Sequence, residues 1–169
     1  VKYHNLAFSV IGLDETYNFH EIFNNVKTLL TKAVYKRCST SDRPIACLLS
    51  GGLDSSLIAA LVNQYHKINN LPTLETYCIG IKGSVDIENA ERVARFLGTK
   101  HTSVLISEKD FIDAIPEVIK TIESYDTTTV RASIGNYLIA KYISENSEAK
   151  VIFSGEGSDE LTGGYLYMN

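Results

Sequence analysis

The sequence predicts an α/β fold, an open and twisted parallel sheet with helices on both faces. Short apolar runs bounded by glycine, proline or polar residues are typical of strands buried on both faces. These runs alternate with stretches of helical periodicity, as they do in parallel sheets. The 169 residues, 44% of them hydrophobic, suit one domain with a real core. An all-helical bundle is the alternative, and the glycine-bounded Val/Ile/Cys runs argue against it.

The first elements can be placed in chain order. Apolar residues recur at helical spacing over residues 22–34, which predicts an amphipathic helix. Residues 38–44 are polar and end in proline, so they indicate a loop. The apolar run at residues 45–49 predicts a buried strand, and a helix is expected to reach about residue 66. We interpret residues 1–17 as a linker or remnant and residues 18–169 as the domain.

The next pair of elements begins with a strand at residues 74–80. A helix follows, and its apolar positions repeat at helical spacing. Asp86 is predicted to cap the start of this helix, because aspartate is a common capping residue. Gly98 is predicted to end it, because glycine adopts the left-handed conformation that terminates many helices.

The rest of the chain continues the alternation. Residues 102–106 predict a strand, and residues 107–110 resemble a capping box before another helix. Pro116 is expected to break that helix into two pieces or to delay its start. Residues 132–145 predict a further helix, and residues 151–153 a last short strand.

Composition excludes several classes of protein. The 16 basic and 20 acidic residues give a net charge of −4 and form no basic block, so we expect no nucleic-acid partner. No apolar run approaches the roughly 20 residues that cross a bilayer. The three cysteines (38, 47 and 78) show no C-x-x-C spacing, which favours reduced thiols and a cytoplasmic location. The four histidines are scattered singly, so a zinc site is not expected.

Residues 50–56 (SGGLDSS) carry the first chemical motif, between a predicted strand and a predicted helix. Two glycines allow positive φ and close approach to a ligand, and a helix N-terminus binds anions. The serine hydroxyls add hydrogen-bond donors. Asp54 beside phosphates would repel them unless a cation bridges the two, which implies Mg²⁺. The Walker lysine is missing. The alternative is a tight turn in which Asp54 only caps the helix.

On these residues the chain resembles the PP-loop ATP pyrophosphatase family, whose fingerprint is S-G-G-x-D-S. More closely, it is similar to the synthetase domain of the glutamine-dependent asparagine synthetases. Three stretches carry the likeness: residues 48–56, 123–133 (ESYDTTTVRAS) and 154–167 (SGEGSDELTGGYLY). The resemblance implies a Rossmann-like fold of the adenine nucleotide alpha hydrolase kind. It also implies that ATP converts the side-chain carboxylate of aspartate into an acyl-adenylate, which ammonia then turns into asparagine and AMP.

The resemblance assigns roles to individual residues. Adenosine is expected to contact Leu49, Ile79, Ser154 and Gly155. Pyrophosphate is expected to be held by Ser50, Gly51, Gly52, Ser55 and Ser56. Mg²⁺ is expected to be bound by Asp54 and Asp159.

The two other stretches also carry chemistry of their own. Ligands of open α/β sheets bind beyond the carboxyl ends of strands, so the acidic stretch and the glycine-rich loop are expected to face one crevice. Glu156 is the expected general base toward ammonia or the group that orders the adenylate. Arg131 is expected to hold the α-carboxylate of aspartate with Thr128 and Thr129, while Asp126 faces its ammonium. The alternatives are a solvated acidic turn and a surface arginine.

The sequence also departs from the family pattern. The family carries an N-terminal glutaminase domain, which this sequence does not match, so ammonia is expected from solution or from another domain or chain. The family's synthetase domain continues past the G-G-Y segment to a lysine that neutralises the adenylate, and Lys141 and Lys150 do not match it. We therefore expect a domain truncated at its C-terminal side. The alternative functions are another PP-loop adenylating enzyme, such as a β-lactam synthetase relative, and an ATP-binding module without turnover.

Overall fold

A computed structural model describes residues 18–165, and the chain divides into two units, residues 1–33 and 34–169. The predicted linker at residues 1–17 lies outside the described residues, and the domain boundaries stay a prediction. Helix α1 (Phe19–Ser39) begins in the first unit and ends in the second. Its apolar residues in the first unit are largely exposed, including Phe19, Phe23, Val26 and Leu29.

The second unit contains a four-stranded parallel sheet. Its strands are β1 (Ile45–Leu48), β2 (Glu75–Gly80), β3 (Lys100–Leu105) and β4 (Val151–Phe153). They lie in the order β3-β2-β1-β4, and all neighbouring strands are parallel. The chain thus moves outward from β1 to β3 and then returns to the other side of β1. This reversal creates the switch point at which α/β folds bind ligands.

Helices cover both faces of the sheet, as predicted. They are α2 (Leu53–Ile68), α3 (Val85–Leu97), α4 (Glu108–Asp113), α5 (Ile115–Ile122), α6 (Thr127–Asn146) and α7 (Ser158–Thr162). Ala46 and Tyr77 pack against Ile139 and Ile143 of α6 on one face. Because side chains alternate along a strand, neighbours such as Cys47 point to the opposite face. Helix α2 packs against β1 and α3 against β2 and β3.

Three local predictions can be compared with the helix ends. The break at Pro116 is confirmed, because Pro116 lies in the first turn of α5, where its missing N–H removes no helical hydrogen bond. Gly98 ends α3 in the left-handed conformation (φ +71°), as predicted. The prediction that Asp86 caps α3 is wrong: Ser84 is the N-cap residue, and Asp86 lies in the first turn, where its charge favours the helix dipole.

Helix α6 begins five residues earlier than the predicted start at residue 132. Its N-cap is Asp126, whose carboxylate accepts a hydrogen bond of 2.8 Å from the backbone N–H of Thr129. The three threonines after Asp126 are β-branched and weak helix formers, so periodicity alone missed this first turn. The capping hydrogen bond stabilises this first turn and offsets the weak helix propensity of the threonines.

The three cysteines agree with the prediction of reduced thiols. Cys38, Cys47 and Cys78 are all buried and free of disulfide bonds. Among residues 18–165, none of the helices combines the length and the apolar character that crossing a bilayer requires.

Candidate functional site

A cavity of about 310 Å³ opens at the carboxyl ends of β1, β2 and β4. It is lined by residues of two loops, which we call the PP-loop (residues 50–56) and the acidic loop (residues 154–160). Eight of the ten residues predicted to bind ATP line it: Leu49, Ser50, Gly52, Asp54, Ser55, Ile79, Ser154 and Gly155. Glu156 and Asp159 line it as well. Gly51 and Ser56 lie in the same loop outside the lining.

The PP-loop has the backbone conformation that its glycines predicted. Gly51 has a φ of +82°, and a Cβ atom there would lie 2.5 Å from the backbone nitrogen of Ala90 in α3. No side chain fits in that space, so the loop can pack against α3 only through glycine. Gly52 is extended and is the N-cap residue of α2, which leaves the start of that helix without a side-chain cap. Asp54 is therefore a first-turn residue and not the cap.

Two serine hydroxyls of the PP-loop lie next to each other, and a third is buried without a partner. The Oγ atoms of Ser50 and Ser55 lie 2.9 Å apart, and the N–H of Gly52 donates to Ser50 Oγ over 3.3 Å. The Oγ of Ser56 is buried and has no hydrogen-bond partner within residues 18–165. A buried hydroxyl without an acceptor, next to an uncapped helix N-terminus, fits an anion such as a phosphate group.

The acidic loop touches the PP-loop directly. A Cβ atom at Gly155 would lie 2.7 Å from the backbone nitrogen of Ser55 and 2.9 Å from the carbonyl carbon of Asp54. Only glycine permits this approach. Inside the acidic loop, Ser158 Oγ donates to the carbonyl of Gly155 (2.8 Å), and the N–H of Glu156 donates to Ser154 Oγ (3.2 Å). The structure thus brings the two loops into the single crevice that the sequence predicted.

Five carboxylates line the cavity, and we call the part of the cavity beside the PP-loop its phosphate end. They are Asp54, Glu156 and Asp159, together with Asp86 and Glu160, which the sequence analysis did not assign to the site. Within residues 18–165, no three acidic, histidine or cysteine residues are placed to hold a metal ion by themselves. Mg²⁺ at nucleotide sites uses one or two carboxylates together with phosphate oxygens. Asp54 and Asp159 can provide the two carboxylates of such a site.

The opposite end of the cavity is apolar. Leu48 and Ile79 pack with Ile139 of α6, and all three line the cavity. Leu49 is buried, and its N–H donates to the carbonyl of Tyr77 over 2.8 Å, which continues the pairing of β1 with β2. Burial raises the pKa of the neighbouring Cys78 thiol, so it stays neutral. This end can hold a flat ring, while the other end can hold charged groups.

Sequence reasoning missed Asn136, which also lines the cavity. It precedes Ile139 by three residues and therefore lies on the same face of α6. The helical periodicity of residues 132–145 contained this signal, but a single polar residue on an apolar face did not stand out.

The residues predicted to bind aspartate lie elsewhere on α6. Thr128, Thr129 and Arg131 are exposed, belong to its first turns and do not line the cavity. The hydroxyl of Thr129 donates to the carboxylate of Asp126 over 2.8 Å. Hydrogen bonds from the backbone and hydroxyl of Thr129 lower the pKa of Asp126. The structure gives Asp126 a capping role, and the aspartate-binding assignment of the other three stays a prediction.

Comparison with known sequences finds relatives of the chain. A family model described as asparagine synthase matches residues 25–169. A glutamine-hydrolysing asparagine synthetase from Homo sapiens is 48% identical to the chain, over 100% of the chain and 30% of the relative. The enzyme of the same name from Cricetulus griseus is 47% identical, over 100% of the chain and 32% of the relative. The relative from Gallus gallus is 44% identical over 98% of this chain and 30% of its own. The chain spans about a third of the length of these relatives.

Solved structures share the fold. An NH3-dependent NAD synthetase from Campylobacter jejuni aligns with a TM-score of 0.56 at 19% identity, over 84% of this chain and 60% of its own. A glutamine-dependent NAD+ synthetase from Acinetobacter baumannii, solved with ADP, aligns with a TM-score of 0.57 at 20% identity, over 92% and 29%. These structures show the fold, and the family model that matches residues 25–169 shows the family: the chain belongs to the asparagine synthase family.

Proposed function

We propose that this chain is the ATP-using part of an amide ligase that converts the side-chain carboxylate of aspartate into the amide of asparagine. The observation that carries this proposal is the contact of Gly155 with Asp54 and Ser55, which joins the PP-loop and the acidic loop around one cavity. Membership of the asparagine synthase family supports the choice of reaction. In this proposal ATP is cleaved between its α- and β-phosphates, and the PP-loop holds the leaving pyrophosphate.

The reaction has two steps. An oxygen of the aspartate side-chain carboxylate attacks the α-phosphorus of ATP, and the α–β phosphoanhydride bond breaks to release pyrophosphate. Ammonia then attacks the carbonyl carbon of the acyl-adenylate, AMP leaves with the electron pair of the broken C–O bond, and the nitrogen loses a proton. In this proposal Glu156 accepts that proton, because it lines the same cavity as the PP-loop. The PP-loop N–H groups and hydroxyls stabilise the negative charge that develops on the pyrophosphate.

The magnesium prediction belongs to the same proposal. Asp54 and Asp159 would hold the ion, because both line the cavity, one from each of the two loops. A bound Mg²⁺ would supply positive charge that neutralises the triphosphate. Without a cation, the carboxylates of the two loops would repel the nucleotide.

The aspartate site is proposed at the start of α6. Arg131 has a planar guanidinium that suits the α-carboxylate of an amino acid, and Thr128 and Thr129 lie within one turn of it. The test is the Arg131→Ala variant, which should raise the aspartate concentration needed for half-maximal turnover. Arg92→Ala is the matched control, because Arg92 is exposed on α3 and does not line the cavity.

We also propose that the nitrogen reaches the site as ammonia made by a separate domain or chain. The names of the relatives describe glutamine hydrolysis, and the chain corresponds to only about a third of their length. A cytoplasmic location fits three buried cysteines that form no disulfide bond.

The function is tested by following the products. The protein is incubated with MgATP, aspartate and ammonium, and pyrophosphate, AMP and asparagine are measured. We expect equal amounts of the three, and aspartate-dependent exchange of labelled pyrophosphate into ATP even when ammonium is left out. Release of ADP and phosphate would contradict the PP-loop assignment. Tight ATP binding with neither exchange nor pyrophosphate release would favour a nucleotide-binding module.

A further inference from the structure

A second cavity, of about 950 Å³, opens at the amino ends of the strands, and we call it the amino-end cavity. Among residues 18–165, none lines both this cavity and the one between the two loops. Its lining includes Cys38 and Ser39 of α1, Tyr65 and His66 of α2, and residues 144–146 of α6. These residues belong to the last turns of three helices. The C-terminus of a helix carries a partial negative charge, so three of them around one cavity favour a positively charged group.

His66 adds a buried acceptor to this lining. The residue is only 8% exposed, and its Nδ1 lies 2.8 Å from the carbonyl oxygen of Pro72. Because a carbonyl only accepts, Nδ1 carries the ring proton, and Nε2 of the neutral imidazole is an acceptor. This Nε2 is buried and has no hydrogen-bond partner within residues 18–165. A buried acceptor without a donor costs stability, so the nitrogen is suited to a ligand that brings one, such as an ammonium group.

Another part of the lining is basic. Arg43 and Lys150 line the cavity just before β1 and β4. The N–H of Lys150 donates to the carbonyl of Pro44 over 3.0 Å, which places the two basic residues at neighbouring backbone positions. Neither of them forms an ion pair with a residue of the described range. A guanidinium fork beside an ammonium group suits a carboxylate.

The remaining charges of the lining favour a ligand that carries both signs. Glu75 and Lys100 neutralise each other through an ion pair of 2.7 Å and have little capacity left for a ligand. Asp42, Glu145 and Glu148 also line the cavity, and all three are exposed. A purely anionic ligand would be repelled by these three carboxylates, and a purely cationic one by the two basic residues. A molecule with one group of each sign can satisfy both parts of the lining.

We propose that the amino-end cavity binds a small zwitterion, a molecule with a free ammonium and a free carboxylate group such as an amino acid or a short peptide. The ammonium group is bound by His66 and the three helix ends, and the carboxylate group by Arg43 and Lys150. The site lies at the other end of the sheet from the nucleotide cavity, so a molecule bound there is not the one that reacts. The inference goes beyond the proposed function and does not require ATP.

The binding test is an NMR titration of the isotope-labelled protein without nucleotide. The probes are L-asparagine, L-glutamine and triglycine, each compared with its N-acetyl form, which lacks the ammonium group, and its C-terminal amide, which lacks the carboxylate. We expect at least one zwitterion to shift the imidazole resonances of His66 until they saturate, and both of its blocked forms to bind at least roughly tenfold more weakly. The proposal is overturned if no zwitterion shifts these resonances, or if the blocked forms bind equally well.

Variants test the two parts of the lining, with the backbone resonances of residues 144–147 as the readout. His66→Asn keeps an amide donor in place of Nδ1 but has no counterpart of Nε2, so it should lower the affinity roughly tenfold. Arg43→Ala should lower it roughly threefold, because the lost charge is exposed. Arg37→Ala is the matched control and should change nothing, because Arg37 is exposed in the last turn of α1 and lies outside the lining.

Two further outcomes would overturn the proposal. Equal losses in Arg43→Ala and Arg37→Ala would show that only the overall charge matters. Displacement of the zwitterion by MgATP would show that it binds in the nucleotide cavity. Failure of the unaltered protein to bind ATP would contradict the proposed function and leave this inference standing.

Discussion

Carboxylates at the two ends of the parallel sheet differ in how many partners they have. At the amino end, the carboxylate of Glu75 accepts hydrogen bonds from Lys100 (2.7 Å), Ser147 (2.6 Å) and Tyr77 (2.8 Å). At the carboxyl end, the carboxylates of Asp54 and Asp159 form no ion pair with any residue in the described part of the chain.

The difference separates stability from binding. A carboxylate bonded by three neighbours holds its strand and loops together and has little capacity left for a ligand. Carboxylates and hydroxyls without such partners cost stability in the free protein, and this cost is recovered only when a ligand binds. We therefore expect changes to the polar side chains at the amino end to alter the free energy of unfolding, and changes to those at the carboxyl end to alter nucleotide affinity. A change to the backbone packing of the PP-loop should alter both.

The largest effect is expected where the carboxyl end is packed most tightly. Gly51→Ala adds a methyl group 2.5 Å from the backbone of α3 at a position with φ +82°. The strained φ and the overlap together should lower the free energy of unfolding by about 2–5 kcal/mol and abolish measurable ATP binding. Denaturant unfolding and calorimetry measure the two effects.

Gly83→Ala is the matched control for Gly51→Ala. Gly83 has almost the same φ, +83°, but a Cβ atom there meets nothing within 4 Å. Only the conformational cost remains, about 1–2 kcal/mol, and ATP affinity should not change. Equal losses in the two variants would mean that the approach to α3 is unimportant.

A smaller effect is expected at the amino end. The hydrogen bonds to Glu75, from Lys100 first, lower its pKa from 4.5 to about 2. A lowered carboxyl pKa stabilises the fold above pH 4.5, and the gain disappears as the pH falls from 4.5 toward 2. Glu75→Gln should unfold about 1–2 kcal/mol more easily at pH 7, because bonds to a charged group are lost but water screens part of it.

Unfolding measured at lower pH is the control for the Glu75→Gln prediction. The difference between the unaltered protein and Glu75→Gln should shrink when unfolding is measured at pH 4 and again at pH 3, while the affinity of the variant for MgATP at pH 7 stays the same. A difference that does not depend on pH would show that packing, and not the carboxylate charge, is responsible. A loss of ATP affinity would contradict the division between the two ends.

The smallest effect is expected at Asp126, which caps α6 through the backbone N–H of Thr129. Removing the cap in Asp126→Ala should lower the melting temperature by roughly 2–4 °C at neutral pH. Asp126→Asn should restore most of this loss, because asparagine is an equally good cap. If Asp126 instead faces the ammonium of aspartate, the asparagine variant will keep its stability but require more aspartate for turnover.

The parallel sheet and the site at the carboxyl ends of its strands could be predicted because their signals are local in the sequence. The run at residues 45–49 and the glycines that follow it combine a buried strand, a turn and a helix start in twelve residues. Contacts between residues that are far apart in the sequence could not be predicted from it. The approach of Gly155 to Ser55 depends on a separation of 100 residues, and only the general rule on carboxyl ends of strands anticipated it.

The failures also have physical causes. Asp86 and Ser84 are both good capping residues, and their order in the chain does not decide which one adopts the extended conformation of the cap. Asn136 is a single polar residue in a helix, and its place in the cavity lining can be inferred only when Ile139 is known to face the cavity.

The most direct test of the account measures whether Asp54 and Asp159 bind the same magnesium ion with ATP. The affinity for ATP is measured with and without Mg²⁺ for Asp54→Asn, Asp159→Asn and the double variant. We predict that each single variant loses roughly tenfold in affinity for MgATP but loses no affinity for metal-free ATP, because removing one carboxylate charge reduces the repulsion of the uncomplexed phosphates. The double variant should lose less than the product of the two, because both act on one ion. Equal weakening of both forms of ATP, or fully independent losses, would contradict a shared site between the two loops.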